Sequence, residues 1–172
     1  MARDFLLNFG TATKAAGAIA TTTLPNMVDI GPNGNNSRSD LYVRIVVNCT
    51  AASGTGTVRY SAALEASKEA TATISSGTWS QIAATPTDVV ANTATVSSGA
   101  VTDGAIVMFL PVFAPAGTMT SVNYTVGGVV SPYAEDNYTK FRVKVTDAVT
   151  GATNPGATYS ASIVSGRDGS LS

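Results

Sequence analysis

The stretch Leu41-Tyr42-Val43-Arg44-Ile45-Val46-Val47 decides the fold class. In an extended chain Leu41, Val43, Ile45 and Val47 point to one face, while Tyr42, Arg44 and Val46 point to the other. A helix would bring apolar residues back every three or four positions, not every two. Val and Ile also suit a pleated, half-buried surface. The stretch therefore reads as a strand with one buried face.

The same alternation recurs outward from it. Val58, Tyr60, Ala62 and Leu64 share a face in residues 57–64. Residues 51–56 hold Gly54 and Gly56 and read as a flexible turn, which would make the two runs an antiparallel pair. Phe141, Val143 and Val145 alternate with Lys140, Arg142 and Lys144, and Tyr159, Ala161 and Ile163 give a last apolar face. Shorter strand candidates lie at 5–9, 27–30, 79–83, 88–90 and 122–126. Residues 105–113 are apolar on both faces, which predicts a central strand or one covered by a partner. Residues 15–20 hold one helical turn at most, because Gly17 and the β-branched Thr21-Thr22-Thr23 oppose a longer helix.

About eight strands at turn-punctuated spacing predict an all-β antiparallel sandwich or jelly roll. Its core should combine Leu41, Val43, Ile45 and Val47 with Phe141, Val143 and Val145. No shift in composition marks a second domain, so 1–172 reads as one domain. Residues 1–31 form an extended N-terminal arm and 166–172 a flexible tail in this reading.

The chain carries little reactive chemistry. It has no histidine, one cysteine and a formal net charge of −1. A Ser or Cys nucleophile needs a nearby base, usually His, and no Gly-x-Ser-x-Gly elbow is present. Zinc would want Cys and His clusters. The oxygen-rich stretches 33–40 and Glu135-Asp136-Asn137 read as solvated turns rather than calcium sites. Gly54-Thr55-Gly56 lacks the remainder of a phosphate loop. No catalytic residue, metal ligand or cofactor is expected, and the protein should not be an enzyme.

The near-zero charge gives no general pull toward nucleic acid or an anionic membrane. The apolar run 105–114 is too short to span a bilayer and contains Pro111. Met1-Ala2-Arg3-Asp4-Phe5 lacks the form of a secretion signal, so synthesis in a cytoplasm and a soluble protein are expected. Cys49 should be a small buried hydrophobe.

What remains is function by surface contact. Three groups of residues are candidates. Phe5, Leu7 and Phe9 lie on a short apolar strand of the arm, which could add to a sheet edge on another subunit. Met108, Phe109 and Phe113 lie in the densest apolar segment, flanked by Ala114-Pro115-Ala116-Gly117, where a subunit partner could cover them. Lys140, Arg142 and Lys144 form a basic stripe. It reads as a solvated or charge-guarded face, or as a contact for an acidic protein surface. It lacks the interleaved aromatics that stack nucleic-acid bases.

The order of motifs resembles the Bbp16-like capsid cement (decoration) proteins of tailed bacteriophages. The matching features are residues 5–9, the Thr21-Thr22-Thr23 region, Val28-Asp29-Ile30-Gly31, the valine-rich strand 41–47 and the Gly-rich segment with its strand at 54–64. The apolar run 106–111 and Val122-Asn123-Tyr124-Thr125-Val126-Gly127-Gly128 complete the likeness, which covers nearly the whole chain. The chain departs from the family at Thr118-Met119, where an Arg-aromatic pair is common, and in longer segments at 65–104 and 129–157.

The resemblance implies a jelly-roll-like β-sandwich and a virion protein on the outer capsid surface. It implies the major capsid protein and further copies of the chain, as a dimer or trimer, as partners. A second class of function is a β-sandwich binding module, such as a carbohydrate-binding or fibre-head domain. That reading needs exposed aromatics, and Trp79 is the single tryptophan.

Overall fold

The computed structural model describes residues 7–29, 41–85, 92–112, 120–121, 124–125 and 139–165. Their regular structure is antiparallel β-sheet, so the protein is all-β. In chain order the strands are β1 (Asn8–Lys14), β2 (Thr21–Thr23), β3 (Val28–Asp29), β4 (Leu41–Ser67), β5 (Ser80–Ala84) and β6 (Thr93–Ser97). They continue with β7 (Ala100–Thr102), β8 (Ala105–Pro111), β9 (Thr120–Ser121), β10 (Tyr124–Thr125) and β11 (Lys140–Ser165).

Two long strands, β4 and β11, are the axis of the fold. They pair along their whole length, from Lys140↔Ser67 to Ser165↔Leu41. This corrects the expected turn at 51–56. Those residues are part of β4, and its two halves pair with β11 rather than with each other. On its other side the first half of β4 pairs with β8, and the second half pairs with β5 and β6. On its own other side β11 carries β1, β2 and β3.

The glycines of the supposed turn serve a change of phase. The buried residues of β4 are Val43, Ile45, Val47 and Cys49 in its first half, then Val58, Tyr60, Ala62, Leu64 and Ala66. The buried face thus moves from odd to even positions. On β11 it is odd in both halves, Phe141, Val143, Val145 and Asp147 in one and Ala157, Tyr159, Ala161 and Ile163 in the other, with Ala152 buried in the irregular stretch between. A one-residue slip in a strand turns every following side chain over. Both strands keep their apolar faces inward because β4 has 27 residues opposite 26 in β11.

The extra residue is absorbed in the irregular pairing around Gly151 and Gly156. Gly56 lies there at φ +155, where a Cβ would run into the Thr150 carbonyl oxygen and the Ala152 amide nitrogen. Only glycine lets the two backbones approach this closely.

One core joins both halves. Val43, Ile45, Val47, Phe141, Val143 and Val145 lie in it together, as their alternation predicts, while the side chain of Leu41 lies outside the described residues. Cys49 is buried among them. Tyr60 and Tyr159 meet edge to face with ring centroids 6.2 Å apart.

Two further expectations change. Residues 7–29 of the supposed arm belong to the folded body, because Phe9, Leu24 and Val28 are fully buried in the core. Strand β1 also runs through Gly10 instead of ending there, with a bulge between Asn8 and Gly10. Strand β8 is not buried on both faces. Ile106, Met108 and Leu110 face the core, while Val107 is 43% exposed. The region 65–104 adds a hairpin of β6 and β7, whose Ser98 and Gly99 both have positive φ. That is the backbone twist a tight hairpin turn requires.

Candidate interaction surface

The outer side of β8, β4, β11 and β1 forms a sheet face that no other described strand covers, with half-buried residues at its centre. Pairing sets Phe109 beside Arg44 and Arg44 beside Ser162. The next row sets Val107 beside Val46 and Val46 beside Ser160, and Tyr42 lies beside Val164. Asn8, Thr11 and Thr13 on β1 extend the face. Its β8–β4 side is therefore apolar and aromatic, and its β11–β1 side is rich in hydroxyls.

Arg44 carries the one charge among these residues. Its Nε is shielded from solvent and has no hydrogen-bond partner. A guanidinium in that setting is incomplete, because a buried donor without an acceptor costs about 1–3 kcal/mol. A carboxylate brought by a partner would complete it bidentately.

The basic stripe has a different fate. Residues 68–79 fold over it as a turn pinned by Thr73 and Ser76. Lys140 is buried and donates to the Ala70 carbonyl and, at 2.9 Å, to the Ala72 carbonyl. Arg142 donates to Glu65 at 2.6 Å and to the Ile74 carbonyl at 2.7 Å, and its guanidinium lies 4.4 Å from the centre of the Trp79 ring. Lys144 reaches the other Glu65 oxygen at 2.9 Å.

Burial pushes the Glu65 carboxyl up, but the hydrogen bonds and charges of Lys144 and Arg142 outweigh it and hold the pKa below its ordinary value. The stripe is thus neither a solvated face nor a set of free cations for an acidic partner. Lys140 and Arg142 hold the 68–79 turn, Lys144 pairs with Glu65 on β4, and Trp79 is covered on one ring face by Arg142.

A second polar cluster lies inside. Lys14 at the end of β1 and Asp147 in β11 are in contact, and Asp147 also accepts the Ala20 N–H. Tyr60 and Tyr159 are buried nearby, and neither hydroxyl makes a hydrogen bond of good geometry. Burial first, then the Asp147 charge, pushes the Tyr159 hydroxyl up to about 12. Burial raises the Tyr60 hydroxyl further.

The candidates from the sequence therefore separate. Phe9 and Met108 are core residues, which removes them as contacts. Leu7 is half-buried against the core, and Phe109 is half-buried on the open face. Phe5 and Phe113 lie outside the described residues, as do the oxygen-rich stretches 33–40 and 135–137. Sequence reading missed Arg44, Tyr42, Val46 and Val107. The signal was present, since three of them form the second face of the opening strand, but that face was not matched to its neighbours. Among the described residues no group of three His, Cys, Asp or Glu is placed to hold a metal ion. No described helix is long and apolar enough to cross a membrane. Comparison with protein-family models, curated proteins and solved structures finds no match to this chain.

Proposed function

We propose that this is a structural interaction protein that binds a larger protein assembly through the open face around Arg44. The assembly in this reading is a tailed-phage capsid, clamped from outside across neighbouring major capsid subunits. The capsid comes from the resemblance to the Bbp16-like cement proteins. The same resemblance supplies the finer architecture, a jelly-roll-like sandwich, and self-association as a dimer or trimer. The reading calls for no catalysis. A protein that binds only the assembled shell stabilises that shell by linkage, and repetition over a symmetric lattice adds weak contacts into avidity.

The observation that carries the reading is the Tyr42, Val46, Val107 and Phe109 cluster around an Arg44 whose Nε has no acceptor. Aromatics and arginine beside apolar neighbours are the composition of interface centres.

The test is cosedimentation with gradient-purified capsids, comparing wild type with Arg44→Glu and Val107→Asp. Val107 is exposed and Arg44 half-buried, so the far-UV spectrum and melting curve of each variant are recorded beside the binding. Both should weaken decoration at least tenfold. Wild-type protein that never travels with capsids overturns the capsid reading. Variants that decorate as well as wild type overturn the assignment of this face.

A further inference from the structure

The first strand and the last are joined by a buried lysine and aspartate. The side chains of Lys14 and Asp147 are 10% and 1% exposed, and Nζ lies 2.9 Å from Oδ2. That contact lacks the directionality of a hydrogen bond, since Oδ2 has no partner of hydrogen-bond geometry. The other oxygen, Oδ1, accepts the Ala20 N–H at 2.6 Å. The Lys14 ammonium also donates to the Pro155 carbonyl. An ammonium has three protons to place, and this pocket offers it one carbonyl and one carboxylate oxygen. The site is nearly closed to solvent, and the buried Tyr60 and Tyr159 stand beside it.

We propose that Lys14 and Asp147 condense without an enzyme into an isopeptide bond between Nζ and Cγ. The reaction starts by passing one proton across the 2.9 Å contact from the ammonium to Oδ2, which gives an amine and an acid. The nitrogen lone pair then attacks Cγ. The carbonyl electron pair moves onto Oδ1, where the Ala20 N–H stabilises the developing charge. Return of that pair expels Oδ2, which leaves as water with the proton it holds and one shed by the nitrogen. One ammonium and one carboxylate become one amide and one water, with no oxidant, reductant or co-reactant.

Two features favour the product. The fold holds the reacting groups in contact, and such fixation corresponds to effective concentrations of about 10⁵–10⁸ M. The amide also finds its partners already in place. Its carbonyl keeps the Ala20 N–H, and its N–H keeps the Pro155 carbonyl. A buried ion pair with an incompletely bonded ammonium is replaced by a neutral group that is fully hydrogen-bonded. The bond would close the chain between β1 and β11 and make the N-terminal strand impossible to peel away. This inference does not depend on the capsid reading.

The test is the intact mass of the full chain under denaturing conditions. Wild type should be lighter than its sequence by one water, apart from any removal of the initiator methionine. A protease digest should give one branched peptide joining Lys14 to Asp147. Lys14→Arg and Asp147→Ala should carry the full mass. Asp147→Asn, which lacks the carboxylate oxygen that takes the ammonium proton, should carry its full mass as well. Wild-type protein that keeps its full mass after prolonged incubation in the folded state overturns the proposal. So does a water loss that maps to a ring-closed Asp147 with an unmodified Lys14. Should the variants fail to fold, the wild-type digest alone decides between these outcomes.

Discussion

Replacing Gly56 with alanine tests why one fold can hold two apolar faces of opposite phase. Gly56 sits at φ +155, and an added Cβ would meet the Thr150 carbonyl oxygen, the Ala152 amide nitrogen and, at 2.7 Å, the Gly151 carbonyl carbon. All three are backbone atoms of β11, so no rotamer change relieves the overlap. The strained dihedral costs about 1–3 kcal/mol. Forcing the two backbones apart costs about 1–3 kcal/mol more, by analogy with overpacked cores. The combined loss is roughly 2–6 kcal/mol, a large share of a typical stability of about 5–15 kcal/mol.

Urea unfolding followed by circular dichroism would read this as a lower midpoint with an unchanged slope. Thermal melting should fall by roughly 5–20 °C at about 2–4 °C per kcal/mol. Gly99→Ala is the control. Gly99 also has a positive φ, of +83, but the nearest atom to its Cβ is the Ala52 carbonyl oxygen at 3.8 Å. It should lose only the backbone cost, about 1–2 kcal/mol. If Gly56→Ala costs no more than Gly99→Ala, close approach is not what demands glycine here. Deleting Thr55 should be worse than either, because it removes the extra residue and turns Val58, Tyr60, Ala62 and Leu64 outward.

Other outcomes follow from the core and its charges. Ile45→Ala, at a fully buried position, should cost about 2–5 kcal/mol in urea unfolding. The Glu65 carboxyl is held below its ordinary value of 4.5. Its contribution is therefore complete above that value and lost as the pH falls below it. Wild type should lose melting temperature between about pH 5 and 3 more steeply than Glu65→Gln, which lacks that titration. The Tyr159 hydroxyl is raised to about 12. The unfolded chain releases that proton first, so stability should decline as the pH rises from about 10 toward 12. In an absorbance titration Tyr159→Phe should remove tyrosinate signal near pH 12 and leave the signal near pH 10 unchanged.

Much of the fold was legible because period two is a local signal. Val43, Ile45 and Val47 on one strand, and Phe141, Val143 and Val145 on another, declare their buried face without knowledge of their neighbours. What the sequence hid was continuity. Gly54 and Gly56 look like a turn, because a turn and a bulge use glycine for the same reason. Only the change from odd to even apolar positions between Cys49 and Val58 distinguishes them. A true hairpin places no constraint on that parity, whereas an unbroken strand needs an extra residue to change it. Residues 105–113 misled in another way. Val107 and Phe109 make β8 look buried on both sides, and no composition rule separates a covered face from an exposed one awaiting a partner.

The candidate site was hidden by the same ambiguity in the charges. Lys140, Arg142 and Lys144 attract notice because they alternate, yet alternation reports only that they share the face away from the core. Whether that face meets water depends on a segment far away in sequence. Here residues 68–79 return over it and supply carbonyls and the Trp79 ring, while the neighbouring strand supplies Glu65. Arg44 is as inconspicuous in the sequence as those three are prominent, being a single cation among valines. Its neighbours in the sheet are Phe109 and Ser162, and neither can neutralise it. A cation with internal partners holds a fold together, and adding an external carboxylate would gain little. A cation whose shielded Nε has no acceptor has something to gain from one brought from outside. By that criterion the three prominent charges serve stability, and the solitary one is the candidate for recognition under the proposed function. Glu65→Gln should therefore act mainly on the melting temperature, and Arg44→Glu mainly on binding.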